Sequence, residues 1–213
     1  MKIIKINPKN PSLKTIKIAA EVIRKGGVVI YPTDTIYGLG ANALSQEAID
    51  KIYKIKKRPE AKPLSAVVSD IKMAKKYCII GASQEEIFSA LLPGAFTLVF
   101  KGKIFKKSNI LTMHKGTLSI RIPDFKITKL LSKESRVPFT ATSANISGLP
   151  GSGNINKVLK QLGIKKKISN RPILPERERD DRIDLVLDAG ILPKKNPSTI
   201  IDLTGKKLKI IRK

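Results

Sequence analysis

The sequence predicts one mixed α/β domain, on three observations. Short strand-like runs recur from residue 2 to residue 212, with amphipathic helical stretches between them. The 213 residues suffice for one well-packed core and would stretch to cover two small domains. No internal repeat and no Gly/Ser- or Pro-rich linker divides the chain.

The elements follow in order. Residues 2–6 alternate as a strand. Pro11 and Ser12 open a helix through about Lys25, with Leu13, Ile16, Ala19, Ala20 and Ile23 at helical spacing and Gly26 closing it. Residues 28–31 are an apolar strand run of the buried kind. The polar, glycine-bearing stretch 32–40 then connects to a helix near 46–57. A short strand at 64–69 leads to Asp70, which can cap a helix through about Tyr77. Ser83 followed three residues later by Glu86 has the capping-box form, before a helix ending near Leu92. Residues 95–100 and 118–122 read as strands, and in the second Ser119 and Arg121 share the face opposite Leu118, Ile120 and Ile122. A strand at 139–142 runs into Ser143-Ala144-Asn145, and a helix follows near 154–162. Residues 165–182, with a lysine run, two prolines and mixed charge, predict a loop. Strands at 184–188, 198–203 and 208–212 finish the chain.

Lys and Arg number 42 against 17 acidic residues, a net charge of +25. Such a field attracts polyanions, with nucleic acid the default partner, and is equally the signature of a lysine-solvated surface. Cys78 stands alone, which excludes an intramolecular disulfide and fits a reducing cytoplasm. No stretch approaches the roughly 20 apolar residues of a membrane-spanning helix, so no membrane partner is expected. One His and one Cys are too few for a classical zinc site. His114, in a Lys/Gly stretch, reads as a surface residue, and no nucleophile-elbow motif accompanies it. Chemistry through a protein nucleophile or a resident metal is therefore disfavoured.

Five segments could carry other chemistry. Residues 32–40 place two hydroxyls and a carboxylate after a buried strand, with glycines that allow close backbone approach. Lys54 to Pro59, with Lys62 beyond, gathers cations at a helix end, where Arg can fork onto phosphate oxygens. Thr117, Ser119 and Arg121 share one strand face; an Arg between Ile residues needs a partner, either a protein carboxylate or a ligand anion. Residues 142–148 bunch hydroxyls and an amide after a strand, a composition suited to phosphate or ribose. The fifth segment is the pair of strands near 198–202 and 210–212. Neither G-x-x-x-x-G-K-[ST] nor G-x-G-x-x-G occurs, so a bound ATP would lie in a non-standard cradle.

Each segment is weak alone; their order is specific. Pro-Thr-Asp-Thr-Ile-Tyr-Gly-Leu-Gly at 32–40, Lys-Arg-Pro at 57–59, Lys-Pro-Leu at 62–64, Leu-Pro-Gly at 92–94, Ser-Ile-Arg-Ile-Pro at 119–123, Ser-Ala-Asn-Ile-Ser-Gly at 143–148 and Ser-Thr-Ile-Ile-Asp at 198–202 occur in that sequence. Together they resemble the YrdC/TsaC family of threonylcarbamoyl-AMP synthases over about residues 12–212. The resemblance implies a twisted mixed β-sheet with flanking helices around a large basic concave cavity, in the single-domain form without a second C-terminal domain. It implies a nucleotidyltransferase that makes L-threonylcarbamoyl-AMP and pyrophosphate from L-threonine, bicarbonate and ATP, with Mg²⁺ held through the ATP phosphates. It further implies a cytoplasmic role in modifying position 37 of tRNA, through a downstream threonylcarbamoyl transferase complex. By the same resemblance Thr35, Arg121 and Ser198 contact L-threonine, while Arg58, Lys62, Thr117, Ser143, Asn145 and Arg212 contact ATP. Two alternatives stand beside it. One is a non-catalytic protein using the basic cavity for tRNA or double-stranded RNA. The other is a carbamoyl-transfer enzyme of the hydrogenase-maturation kind.

Overall fold

Capped amphipathic helices and buried β-branched runs build the chain much as their spacing dictates. The computed structural model describes residues 1–59, 62–103, 115–164, 183–193, 197–205 and 207–212. The elements up to the middle of the chain are β1 (Lys2–Lys5), α1 (Leu13–Arg24), β2 (Val29–Tyr31), β3 (Gly38–Gly40), α2 (Gln46–Lys56), β4 (Ala66–Val67), α3 (Ile71–Tyr77), β5 (Cys78–Ile79) and α4 (Ala82–Leu91). Then come β6 (Phe96–Gly102), β7 (Thr117–Arg121), α5 (Lys126–Ser135), β8 (Phe139–Thr140), β9 (Thr142–Ser143), α6 (Ile155–Gln161), β10 (Leu185–Asp188), β11 (Thr199–Asp202) and β12 (Lys209–Arg212). The predicted loop at 165–182 and His114 lie outside the described residues.

Caps set the helix starts. Ser45 accepts from the Ala48 amide at 3.3 Å and Asp70 from the Met73 amide at 2.7 Å. The capping box predicted at Ser83 and Glu86 is displaced. Helix α4 begins at Ala82, and Gln84 Oε1 takes the Gly81 amide at 2.9 Å. Ser83 thus lies inside the first turn, where its side chain cannot serve as the cap.

The expected twisted mixed β-structure is present and, among the described residues, forms two mixed sheets. One runs β1-β10-β2-β3-β9; the other runs β12-β11-β6-β7-β4-β8, with β5 pairing on β6. In the first, β10 lies parallel to both β1 and β2, inserted between them. In the second, β11 runs parallel to β6, and β6 antiparallel to β7. Strand β3 falls within the stretch predicted as a polar loop, and the predicted strand at 139–142 divides into β8 on one sheet and β9 on the other. The glycines of β3 have a packing reason. A Cβ on Gly38 would lie 2.8 Å from Tyr31 Cζ, and one on Gly40 3.0 Å from Tyr31 Cε1. The Tyr31 ring fills that space and meets Phe139 edge-on at 5.3 Å. Helices α1 and α5 pack on the apolar face that carries Tyr31, through Ile16, Ile23, Ile127 and Leu131.

Candidate active site

The two sheets wall a cleft of about 340 Å³. The 32–37 loop, β3 and β9 line one side, and Thr97 of β6, Arg121 of β7, Ser198 and Arg212 line the other. Arg58 also lines it, and among the described residues no carboxylate belongs to the lining. Three guanidinium groups thus face a space ringed by hydroxyls, an arrangement built for anions.

The loop after β2 is organised by Thr33. Its hydroxyl donates to the Ile36 carbonyl at 2.7 Å and accepts from the amides of Thr35 (3.1 Å) and Ile36 (3.3 Å). This turn holds Thr35 against the cleft and turns Asp34 behind it, where Asp34 forms an ion pair with Arg121 NH2. The side chains are only 3% and 12% exposed respectively, so the pair is largely desolvated. The sequence left the Arg121 partner open between a protein carboxylate and a ligand; the structure gives Asp34. The guanidinium is not saturated, because its buried Nε has no hydrogen-bond partner among the described residues.

Lys56 stands behind the β9 part of that first wall and is not itself among the lining residues. Helix α2 buries Ala48, Ile49, Ile52 and Ile55, and the same face carries Lys56, 1% exposed. Its ammonium donates to the Ser143 carbonyl, and at 2.9 Å each to the Asn145 carbonyl and Oδ1. Asn145 Oδ1 also takes the Ser143 hydroxyl proton, while its Nδ2 donates to the carbonyls of Ile146 (3.0 Å) and Leu149. The Ser143 hydroxyl has therefore spent its proton and offers the cleft lone pairs. Burial, and secondarily the Arg58 charge, push the Lys56 amine down to about 7, a shift its three acceptors oppose. Lys57 at φ 48° then ends the helix in the left-handed conformation, and Arg58 donates to the Pro63 carbonyl at 2.9 Å.

On the far wall Ser198 Oγ and Thr97 Oγ1 lie 2.9 Å apart. Arg212, from strand β12, donates through NH2 to the Ser198 carbonyl at 2.9 Å. Arg212, expected at ATP, is thereby tied to Ser198, expected at L-threonine.

Of the nine residues expected to bind ligands, Thr35, Arg58, Arg121, Ser143, Asn145, Ser198 and Arg212 come together on this cleft. Lys62 and Thr117 are not among its lining. Lys62 is exposed, and its carbonyl accepts from the Tyr53 hydroxyl at 2.9 Å. Thr117 begins β7, four residues or roughly 13 Å along the strand from Arg121. Sequence reasoning placed Thr33 and Asp34 in the 32–40 segment and Lys56 in the basic segment without assigning them roles, and it missed Thr97. For Lys56 a signal existed: it continues the Ala48, Ile49, Ile52, Ile55 face, where a solvated lysine has no place.

The Sua5_yciO_yrdC family model, described as telomere recombination, matches residues 21–169. A putative threonylcarbamoyl-AMP synthase of Methanocaldococcus jannaschii is 36% identical, covering 99% of this chain and 92% of its own. The crystal structure of Pyrococcus abyssi Sua5 complexed with L-threonine superposes with a TM-score of 0.83 at 28% identity, over 100% of this chain and 57% of that one. Escherichia coli YciO superposes with a TM-score of 0.81 at 25% identity, over 100% and 95%.

Proposed function

Since the chain belongs to the Sua5/YciO/YrdC family, we propose that it is a threonylcarbamoyl-AMP synthase, making L-threonylcarbamoyl-AMP and pyrophosphate from L-threonine, bicarbonate and ATP. The observation that carries this reading is the cleft: among the described residues its lining holds three arginines and a ring of hydroxyls, with no carboxylate. Bicarbonate, a carboxylate and a triphosphate repel one another, and such a site gathers them and offsets the charge on the leaving pyrophosphate. The threonine amine attacks bicarbonate carbon, releasing water and leaving a carbamate. A carbamate oxygen then attacks the α-phosphorus and pyrophosphate departs. Neither step needs a protein nucleophile, which suits a cleft whose described lining holds no His or Cys.

In this proposal Arg121 grips the threonine carboxylate, with Thr35 and Ser198 beside it. Arg58, Ser143, Asn145 and Arg212 hold the nucleotide, and Lys62 and Thr117 approach it from beyond the lining. Among the described residues no group of three or more His, Cys, Asp or Glu could hold a metal. Mg²⁺ would accordingly rest on phosphate oxygens and water, supplying charge neutralisation there. The +25 charge supports contact with tRNA, and handover of the product to a threonylcarbamoyl transferase complex belongs to the same proposal. No helix among the described residues is long and apolar enough to cross a membrane.

The test is product formation from radiolabelled bicarbonate, ATP, Mg²⁺ and L-threonine. A labelled adenylate that requires threonine, released with pyrophosphate and lost in Arg121→Ala, is the expected result. Folded protein that binds RNA but yields no threonine-dependent product would overturn the reading in favour of a binding protein.

A further inference from the structure

We propose that Thr97 and Ile200 read the side chain of the bound amino acid, Thr97 through its hydroxyl and Ile200 through its apolar surface, so that the cleft favours threonine over serine. The inference rests on the threonine-binding reading above and adds to it the residues that choose which amino acid the cleft accepts.

The order of strands carries the argument. Leu98 of β6 pairs with Ile120 of β7, which sets Thr97 abreast of Arg121. On its other side Thr97 pairs with Ile200 of β11, and Ile200 pairs in turn with Arg212 of β12. All four line the cleft, so Arg121, Thr97, Ile200 and Arg212 form one row across the sheet, on strands about 4.8 Å apart. Alternation sends Leu98 and Ile201 into the core behind them. Ser198, two residues before Ile200, lines the cleft too. In the synthase reading, Arg121 grips the threonine carboxylate and Ser198 contacts the same molecule. These two stand on either side of Thr97, so an amino acid held by both lies over it. Its amine must stay open to bicarbonate, so the end set down there is the side chain.

A threonine side chain carries one hydroxyl and one methyl, and the row offers a partner for each. Thr97 Oγ1 and Ser198 Oγ lie 2.9 Å apart, in residues only 4% and 5% exposed. Whichever oxygen donates in that contact, one hydroxyl proton is left over, and no acceptor among the described residues takes it. Arg212 NH2 reaches Ser198 Oγ at 3.4 Å, which leaves lone pairs on the pair still free. The two hydroxyls together can therefore give a proton to the substrate hydroxyl or accept one from it, whichever of them is the donor. Ile200, on the next strand, is apolar surface between two arginines, which no phosphate or carboxylate can use. A threonine methyl covers that surface and serine leaves it bare. One methyl in a fitted apolar site discriminates by about tenfold or more.

Isothermal titration of the whole protein with L-threonine, L-serine and L-α-aminobutyrate tests this. The unaltered protein should bind threonine about tenfold more tightly than serine, which lacks the methyl, and than α-aminobutyrate, which lacks the hydroxyl. Ile200→Ala should weaken threonine about tenfold and change serine by no more than about twofold, so that the preference disappears. Thr97→Val should weaken threonine and serine about tenfold alike and leave α-aminobutyrate within about twofold. Thr97→Ser, which keeps the hydroxyl, should restore both. An unchanged threonine-to-serine ratio in Ile200→Ala overturns the proposal. So does a Thr97→Val loss that persists with α-aminobutyrate, or unaltered protein that binds serine as tightly as threonine. If Ile200→Ala does not fold, Ile200→Val, one methylene smaller, must move the ratio in the same direction. If Thr97→Val does not fold, the affinity of the unaltered protein for α-aminobutyrate carries the decision on the hydroxyl. Unaltered protein that binds neither threonine nor serine refutes the underlying functional reading instead, so the two failures are distinct.

Discussion

Asparagine in place of Asp34 isolates the buried ion pair behind the cleft. Asp34→Asn keeps the shape and one acceptor oxygen but removes the charge that neutralises Arg121. Breaking a buried pair by removing one partner costs about 3–5 kcal/mol, because the other charge stays in low dielectric. The retained oxygen argues for the low end, about 3 kcal/mol. Among the described residues nothing is poised to compensate, since Arg121 Nε lacks a partner and no carboxylate lines the cleft. A chain of this size loses about 2–4 °C of melting temperature per kcal/mol, so the variant should melt about 6–12 °C lower. Thermal denaturation followed by circular dichroism near neutral pH reads this directly. The double variant Asp34→Asn/Arg121→Met leaves no orphan charge and should melt above the single one. A fall of under about 2 °C, or a double variant less stable than Asp34→Asn, would show that Arg121 is solvated and refute the argument.

Three further expectations follow from the same contacts. Lys56 sheds its proton near pH 7 when folded and near 10.5 when unfolded, so between these values the unfolded chain holds the extra proton and stability rises with pH. Urea unfolding across that window should show a contribution of up to about 1.4 kcal/mol per pH unit that disappears in Lys56→Met. Gly38→Ala drives a methyl to 2.8 Å from the buried Tyr31 ring and should cost about 1–3 kcal/mol in urea unfolding, partly recovered by Tyr31→Leu. Arg212→Ala should weaken ATP about tenfold in calorimetric titration while changing threonine affinity less, the mark of a lost charge-assisted contact to phosphate.

The legible parts of the fold were those governed by local chemistry. Ser12 and Asp70 are good caps on any backbone, and the spacing of Ile16, Ala19, Ala20 and Ile23 announces a buried helix face. Strand β3 was not legible. Gly-Leu-Gly has poor strand propensity, and its glycines answer to a tyrosine ring on the neighbouring strand. The two-residue β5 is too short to show any alternation. Cap choice at α4 was decided by where the chain arrives, since Ser83–Glu86 and Gly81–Gln84 are offset by only two residues. In the site, the residues that reach the cleft were readable from ordered motifs. Those that hold them were not, because the Asp34–Arg121 and Lys56–Asn145 contacts join positions 87 and 89 residues apart. Spacing within a motif carries no information about such a partner.

The insertion of β10 between β1 and β2 bears on how the protein is made. The bond from the Val28 amide to Asp184 spans 156 residues, so a nascent chain emerging from the ribosome carries both flanking strands long before the strand that joins them. Until then, each presents an unsatisfied backbone edge, Ile-rich and ready to pair with whatever strand is nearby. Folding of this half should therefore be slow and largely post-translational, with its rate set by closure of that long loop. The lysines flanking Ile3 and Ile4 would meanwhile act as gatekeepers, keeping two such intermediates apart by charge until the central strand arrives.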